Sequence, residues 1–312
     1  MKASTLSRDG AVRLGLVGCG LWGVKLLADA LELGAWVCVA DPSPEARENA
    51  ARLGAAVVRH DARELPEVDA FIVSTPASTH FEVISEVLLR GVPIFTEKPF
   101  TLELEQAEEL VRIAEDRIFV LHTWRHHPAV RVLRQILRAG TLGQPEWLRT
   151  FRTNWTSPRT DCDPVWTLLP HDFSIFLEML GDLPPLAYAR AERSGGDVVG
   201  LLAVLEGEFP CVAEVSTRYA DKRREIRLHG SDGVAVFPGD EAGEVLVYRG
   251  AAGSERPTPE RILIGGMTAL QHELAAVLAY LRGGPAPASI ARDALRIARL
   301  VHETRRMAGI ER

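Results

Sequence analysis

From Ala11 onward, short apolar runs alternate with longer stretches whose apolar positions recur every three or four residues. Runs of the first kind build strands, and stretches of the second kind build amphipathic helices. AVRLGLVG (11–18) reads as a strand, and GLWGVKLLADALELG (20–34) reads as a helix closed by Gly34. AWVCVA (35–40) is a second strand. SPEARENAARLG (43–54) follows as a helix with Ser43 as N-cap, Pro44 in its first turn and Gly54 beyond its end. DAFIVSTP, VPIFTEKP and IFVLHTW supply further strands, separated by helical STHFEVISEVLLRG and LELEQAEELVRIAED. This alternation predicts a doubly wound α/β domain with a parallel sheet over residues 1–122.

After His122 the pattern changes. A basic amphipathic helix, PAVRVLRQILRAG, ends at Gly140, and EWLRTFRTNW follows as a long strand of period two. The loop TSPRTDCDP leads to a helix around HDFSIFLEMLG. Six strand-like segments then follow without helices between them: AYARAE, DVVGLLAVLE, CVAEVSTRY, REIRLHG, GVAVF and EVLVYR. Two helices close the chain. A run of strands followed by helices predicts an α+β domain over residues 123–312 with one large, open, mainly antiparallel sheet, and the C-terminal helix can pack back on the first domain.

The candidate chemistry lies at strand ends. Gly18, Gly20 and Gly23 have GxGxxG spacing between the first strand and the first helix, where the backbone can approach a pyrophosphate at a positive helix end. Leu21 and Trp22, between these glycines, belong to the same loop. Asp41 closes the second strand about 20 residues downstream, where a carboxylate holds a ribose 2′-OH and repels a 2′-phosphate. This favours NAD over NADP, and the same side chain can also form a turn before Pro42. Ser74, Thr75 and Pro76 end the next strand on the cofactor edge, and His80 beyond them reads as a packing residue beside that site rather than a catalyst.

TEKPF (96–100) ends a further strand on the same edge, so Glu97 and Lys98 project toward the nicotinamide end. Lys98 is one of four lysines (with Lys2, Lys25 and Lys222) among 36 basic residues; the other 32 are arginine. A desolvated lysine can exchange a proton near neutrality, and arginine cannot. A salt bridge to Glu97 is the plainer alternative.

In their order and spacing, GLVGCGLWG, Asp41, STPASTH and TEKPF resemble the Gfo/Idh/MocA family of nicotinamide-dependent oxidoreductases. The similarity runs on through WRHHPAVRVLRQILRAGTLGQPEWL and VWTLLPHDFSIFLEMLG. Trp22 and the TWRHHPAVR and LLPHDFSI stretches are similar to the branch that oxidises nucleotide-linked amino sugars, including UDP-N-acetylglucosamine-type dehydrogenases. The resemblance implies catalytic roles for Lys98 and His171. It also puts Thr167 where the family commonly has an aspartate, and a threonine hydroxyl cannot act as a base at neutral pH. Asp172 is available to orient His171, although neighbours on a helix diverge by about 100°. Trp166 falls beside these residues on the substrate side. Arg125, His126 and His127 point into the cleft or hold the domain junction. Arg152, Asn154 and Arg159 either receive a sugar-linked phosphate or form a solvated strand face.

Composition narrows the classes further. Apolar residues make up 46% of the 312 and charged residues 25%, with a net charge of −6, which gives no general attraction to nucleic acid or anionic membranes. No apolar run approaches the roughly 18 residues of a membrane helix, so a cytoplasmic protein is expected. The four scattered cysteines suit buried thiols rather than disulfides or a metal site. The resulting expectation is an NAD-dependent enzyme moving hydride between nicotinamide and a carbinol of a sugar or nucleotide-linked sugar. A redox-neutral elimination or epimerisation and a non-catalytic NAD- or sugar-binding regulator are the alternatives. The open sheet face suggests a homodimer or homotetramer.

Overall fold

The computed structural model describes residues 10–155, 162–251, 253–255 and 257–310. The chain divides into two compact units: residues 1–123 with 267–298, and residues 124–266 with 299–312.

In the first unit, strands and helices alternate as the apolar periodicity requires: β1 (Arg13–Val17), α1 (Gly23–Glu32), β2 (Trp36–Ala40), α2 (Pro44–Leu53), β3 (Val57–Arg59), β4 (Ala70–Val73), α3 (His80–Leu88), β5 (Ile94–Glu97), α4 (Leu104–Ala114) and β6 (Ile118–Leu121). The sheet is parallel throughout, in the order β3-β2-β1-β4-β5-β6. The order reverses beside β1, so a crevice opens at the carboxyl ends of β1 and β4. Strand β3, three residues of which two are half-buried and Arg59 is exposed, carried too short an apolar run to be read in advance. Its neighbour α2 begins as the sequence indicates, because the Ser43 side chain accepts from the Ala46 amide and Gly54 closes the helix at φ 104°.

The second unit contains α5 (Pro128–Arg138), β7 (Pro145–Trp155), α6 (Pro164–Leu180), β8 (Leu186–Ser194), β9 (Asp197–Glu206), β10 (Pro210–Ser216), β11 (Arg218–Gly230), β12 (Gly233–Phe237), β13 (Glu244–Arg249) and β14 (Glu260–Leu263). Its eight strands run in the order β14-β13-β12-β11-β7-β10-β9-β8. All neighbours are antiparallel except β10 beside β7. Helix α6 packs on β9, β10 and β7, and α5 packs on β12 and β13, so both helices press on the sheet. Helix α6 begins about two turns before the HDFSIFLEMLG stretch. Asp163 accepts from the Val165 and Trp166 amides and starts the helix, which carries Pro170 inside it. His171 is therefore a mid-helix residue and not a helix-start residue.

Helix α7 (Ala269–Leu281) and the first part of α8 (Ala291–Met307), as far as Ala298, belong to the first unit. Leu270, Leu274, Val277 and Leu278 of α7 join α1 in the core on one face of the parallel sheet, while Ala291, Ala294 and Leu295 of α8 join α3 and α4 on the other. Tyr280 meets the rings of Phe95 and Phe119 edge-on, with centroids at 6.4 and 5.1 Å, which fixes α7 against β5 and β6. Among the described residues no helix is long and apolar enough to cross a membrane. Cys19, Cys38 and Cys211 are buried free thiols, and Cys162 is half-buried.

Candidate active site

The glycine loop shows why each of its glycines is required. Gly18 has φ 88°, and a Cβ there would stand 2.6 Å from the Ser74 carbonyl oxygen. A Cβ on Gly23 would stand 2.3 Å from the Gly18 carbonyl oxygen, so the third glycine lets α1 pack against its own loop. Around Gly20 nothing lies within 4 Å of such an atom, which leaves open space where a phosphate approaches backbone. Trp22 caps α1 without a side-chain hydrogen bond, and the first turn holds no acidic residue. The positive helix end is thus left to an anion, and these residues fit a dinucleotide. Gly23→Ala is expected to cost about 1–3 kcal/mol of stability through overpacking and to weaken NADH binding in proportion to the displaced loop, as thermal unfolding and NADH titration would show.

Asp41 holds that loop in place. Its Oδ2 accepts from the Cys19 amide at 2.7 Å and its Oδ1 accepts from the Ser43 amide at 2.8 Å, forming the turn before Pro42. Each oxygen keeps a further lone pair for a ribose hydroxyl. Arg47, which the sequence did not flag, donates through Nη1 to the carbonyl oxygens of Asp41 and Pro42 and fixes the same turn.

Ser74, Thr75 and Pro76 follow β4 with Ser74 and Thr75 half-buried and Pro76 exposed, and the Ser74 amide donates to the Val17 carbonyl. His80 is buried, with Nδ1 2.8 Å from the Pro99 carbonyl oxygen and Nε2 3.1 Å from that of Thr75. Desolvation holds its pKa below the ordinary histidine value, so a neutral ring donates to one carbonyl at a time and ties the turn after β4 to the turn after β5. Glu97 ends β5 and accepts from Trp22 Nε1, while Lys25 Nζ lies 5.1 Å above the Trp22 ring. Leu21 is fully open to solvent. Lys98 is half-buried, and its peptide bond to Pro99 is cis. Burial pushes the Glu97 carboxyl up to about 7, against the opposing pulls of Lys98 and Trp22.

A residue the sequence reading missed stands beside this group. Glu273 of α7 is 1% exposed and accepts from the Thr123 hydroxyl at 2.8 Å. Its pKa is raised well above the ordinary value by burial and by the charge of Glu97. The signal in the sequence was a glutamate in the apolar stripe Leu270, Leu274, Val277 of α7.

In the second unit, α6 is buried along nearly all its length. Thr167, Leu168 and His171 are partly accessible at spacing i, i+1, i+4 and so share one face. The Thr167 hydroxyl donates to the Pro164 carbonyl at 3.1 Å. Asp172 receives Nε and Nη2 of Arg152 at 2.9 and 3.3 Å. Both side chains are almost fully buried, so Asp172 does not orient the imidazole, and Arg152 is neither a solvated strand residue nor an open phosphate fork. The Arg152 guanidinium also lies 4.4 Å over Trp124, whose ring stacks on His127. His127 caps α5 by accepting from the Ala129 amide. Arg125 pairs with Glu178 at 3.1 Å, and Arg134 shares the same carboxylate. Trp166 is buried edge-on against His302 with Arg305 over its ring, and Arg305 also pairs with Asp163. Asn154 is half-buried near the end of β7. Arg159 lies outside the described residues.

The first unit is a dinucleotide-binding Rossmann unit, with a lysine and two perturbed carboxyls at the carboxyl edge of its sheet. Residues 12–123 match the Gfo/Idh/MocA model, an oxidoreductase family with an NAD-binding Rossmann fold. It is 41% identical over 124 residues to UDP-N-acetylglucosamine 3-dehydrogenase of Acidithiobacillus ferrooxidans and 34% identical over 153 residues to the rhizopine catabolism protein MocA of Rhizobium meliloti. Those matches span 38% of this chain and 38% of the first relative, and 47% of this chain and 48% of the second. Inositol 2-dehydrogenase of Rhizobium meliloti is 25% identical over 91% of this chain and 93% of its own length. The solved structure of the Acidithiobacillus enzyme superposes with a TM-score of 0.82 at 24% identity, covering 96% of this chain and 99% of that one, which shows a shared fold over both units.

Proposed function

We propose that the protein is an NAD-dependent dehydrogenase acting on a CH–OH group of a sugar or nucleotide-linked sugar. The observation that carries the reading is Lys98. It stands half-buried at the carboxyl end of β5, on the edge of the parallel sheet at which ligands of such sheets bind. Relatives named as UDP-N-acetylglucosamine 3-dehydrogenase, inositol 2-dehydrogenase and levoglucosan dehydrogenase, the last in complex with NADH, point to ring carbinols as the substrate class.

Bound NAD supplies the hydride acceptor. Gly18, Gly20 and Gly23 receive the pyrophosphate and Asp41 the adenosine ribose, with Ser74, Thr75 and Pro76 along the cofactor's path. Lys98 takes the hydroxyl proton as the carbinol carbon gives up hydride; His171 and Thr167, which share one face of α6, are the second unit's candidates for hydrogen bonds to a substrate hydroxyl. We place the enzyme in the cytoplasm as a homodimer or homotetramer, with the open face of the second sheet as the contact.

Absorbance at 340 nm with NAD and a panel of sugars, inositols and UDP-amino sugars tests the reading, and one substrate that reduces NAD supports it. Thr167 gives weight to a second reading, a redox-neutral or regulatory protein, because it offers no base where the family commonly has one. Bound nucleotide with no NADH from any substrate would favour that alternative. Thr167→Asp separates the two: on the dehydrogenase reading the variant turns over at least as fast as the wild type, while on the regulatory reading it gains a turnover that the wild type lacks.

A further inference from the structure

Trp22 breaks a local rule. It occupies the N-cap position of α1, where serine, threonine, aspartate and asparagine are favoured because their side chains bond the free amides of the first turn. Its indole makes no such bond, and Nε1 donates instead to the carboxyl of Glu97, 75 residues away at the end of β5. Lys25 Nζ lies 5.1 Å above the ring and braces it, while 39% of the residue's surface stays open, so Trp22 is not a core residue. A side chain that gives up local capping for a distant partner marks a place where the fold serves something besides its own stability.

Strand order shows what the bond joins. β4 lies between β1 and β5, so the indole and the carboxyl meet across the carboxyl end of β4, over two strand spacings of roughly 5 Å each. The loop on one side holds three glycines and has little stiffness of its own. On the other side Glu97 is 8% exposed and is followed directly by Lys98. Pro99, the residue after Lys98, is held separately, with its carbonyl oxygen 2.8 Å from His80 Nδ1. Lys98 therefore stands between two fixed neighbours, one tied to the glycine loop and the other to the start of α3. We propose that Trp22 is a positioning residue for Lys98: through Glu97 it locks the lysine's turn to the loop that receives the dinucleotide, so that amine and nicotinamide keep a fixed separation. This rests on the dehydrogenase reading for the role of Lys98, and it gives Trp22 the placement of the lysine rather than the holding of the cofactor.

A first test needs neither cofactor nor substrate. Lys98 is one of four lysines, so acetylation by acetic anhydride at fixed pH can be followed at each of them by peptide mass spectrometry. Trp22→Phe keeps an aromatic ring and removes the N–H. The Lys98 rate, relative to exposed Lys222 in the same sample, is expected to rise about fivefold, the factor that one lost hydrogen bond gives to local opening. Glu97→Ala should raise it at least as far, and adding Trp22→Phe to Glu97→Ala should change nothing more, because the same bond is broken in both. An unchanged Lys98 rate in Trp22→Phe, or rises that multiply in the double variant, would overturn the proposal.

Kinetics on the sugar that reduces NAD is the second test. Trp22→Phe should lower kcat about 10- to 100-fold by misplacing the amine, with the Kd for NADH within about threefold of the wild-type value. Glu97→Gln keeps an acceptor for the indole and should retain most of the rate that Glu97→Ala loses. Wild-type kcat in Trp22→Phe, or a loss of NADH affinity as steep as the loss of rate, would sink the assignment. Equal losses in Glu97→Gln and Glu97→Ala would do the same, since Glu97 would then act by its charge and not by its bond to the indole. If no sugar reduces NAD in the wild type, the dehydrogenase reading fails, and the acetylation result still decides whether Trp22 holds the lysine's turn.

Discussion

Lys98→Met is expected to lower kcat about 10²- to 10⁴-fold on the sugar that reduces NAD, with the Kd for NADH close to the wild-type value. Methionine keeps the length and apolar stem of lysine at this half-buried position but has no proton to give or take. The loss therefore falls on an interaction made in the transition state, and kcat and kcat/KM should drop together. Lys98→Arg should not restore turnover, since guanidinium keeps its proton throughout the working pH range. Steady-state kinetics on both variants, with NADH titrations beside them, checks the assignment. A loss of NADH affinity matching the loss of rate would make Lys98 a cofactor-holding residue instead.

The second large effect concerns stability. Arg152→Ala or Asp172→Ala should each cost about 3–5 kcal/mol, because either one leaves a partner's charge buried and uncompensated. The bidentate contact lies inside the second unit, with both side chains almost fully enclosed and the guanidinium covered by Trp124. Replacing both together, Arg152→Met with Asp172→Leu, should recover most of that loss, since apolar side chains of similar volume often substitute well for a buried ion pair. Urea unfolding of the two single variants and the double gives the coupling directly. If Arg152 instead received a substrate phosphate, the double variant would be stable and its KM would rise steeply.

The two effects separate what could be read from the chain and what could not. Local periodicity and short-range chemistry carried the first unit. The strand-loop-helix order around Gly18, Gly20 and Gly23, the Ser43 cap, the end of α2 at Gly54, and the placement of Asp41 and Lys98 at strand ends are all written within a few residues of where they act. The same holds for the fold class of the second unit, whose run of strands excludes a βαβ pattern. Side-chain partners in the second unit were another matter. Arg152 read as either a receiver of a sugar-linked phosphate or a solvated strand residue, and Trp166 as a residue on the substrate side. Their orientation depends instead on which face of β7 and α6 turns inward, and there Asp172, His302 and Arg305 await them. Helix α6 began earlier than its apolar core suggested because Asp163 caps it and Pro170 is tolerated within it.

What the sequence by itself determined is the set of elements, their order and the cofactor loop, since these depend on backbone propensity and on contacts a few residues apart. Only the tertiary structure decided that α7 returns to the first unit and carries Glu273 to Thr123, and that Arg152 meets Asp172. Such pairs join residues far apart in the chain, and no local pattern records which buried charge another will face; packing of the two sheets and their helices settles it.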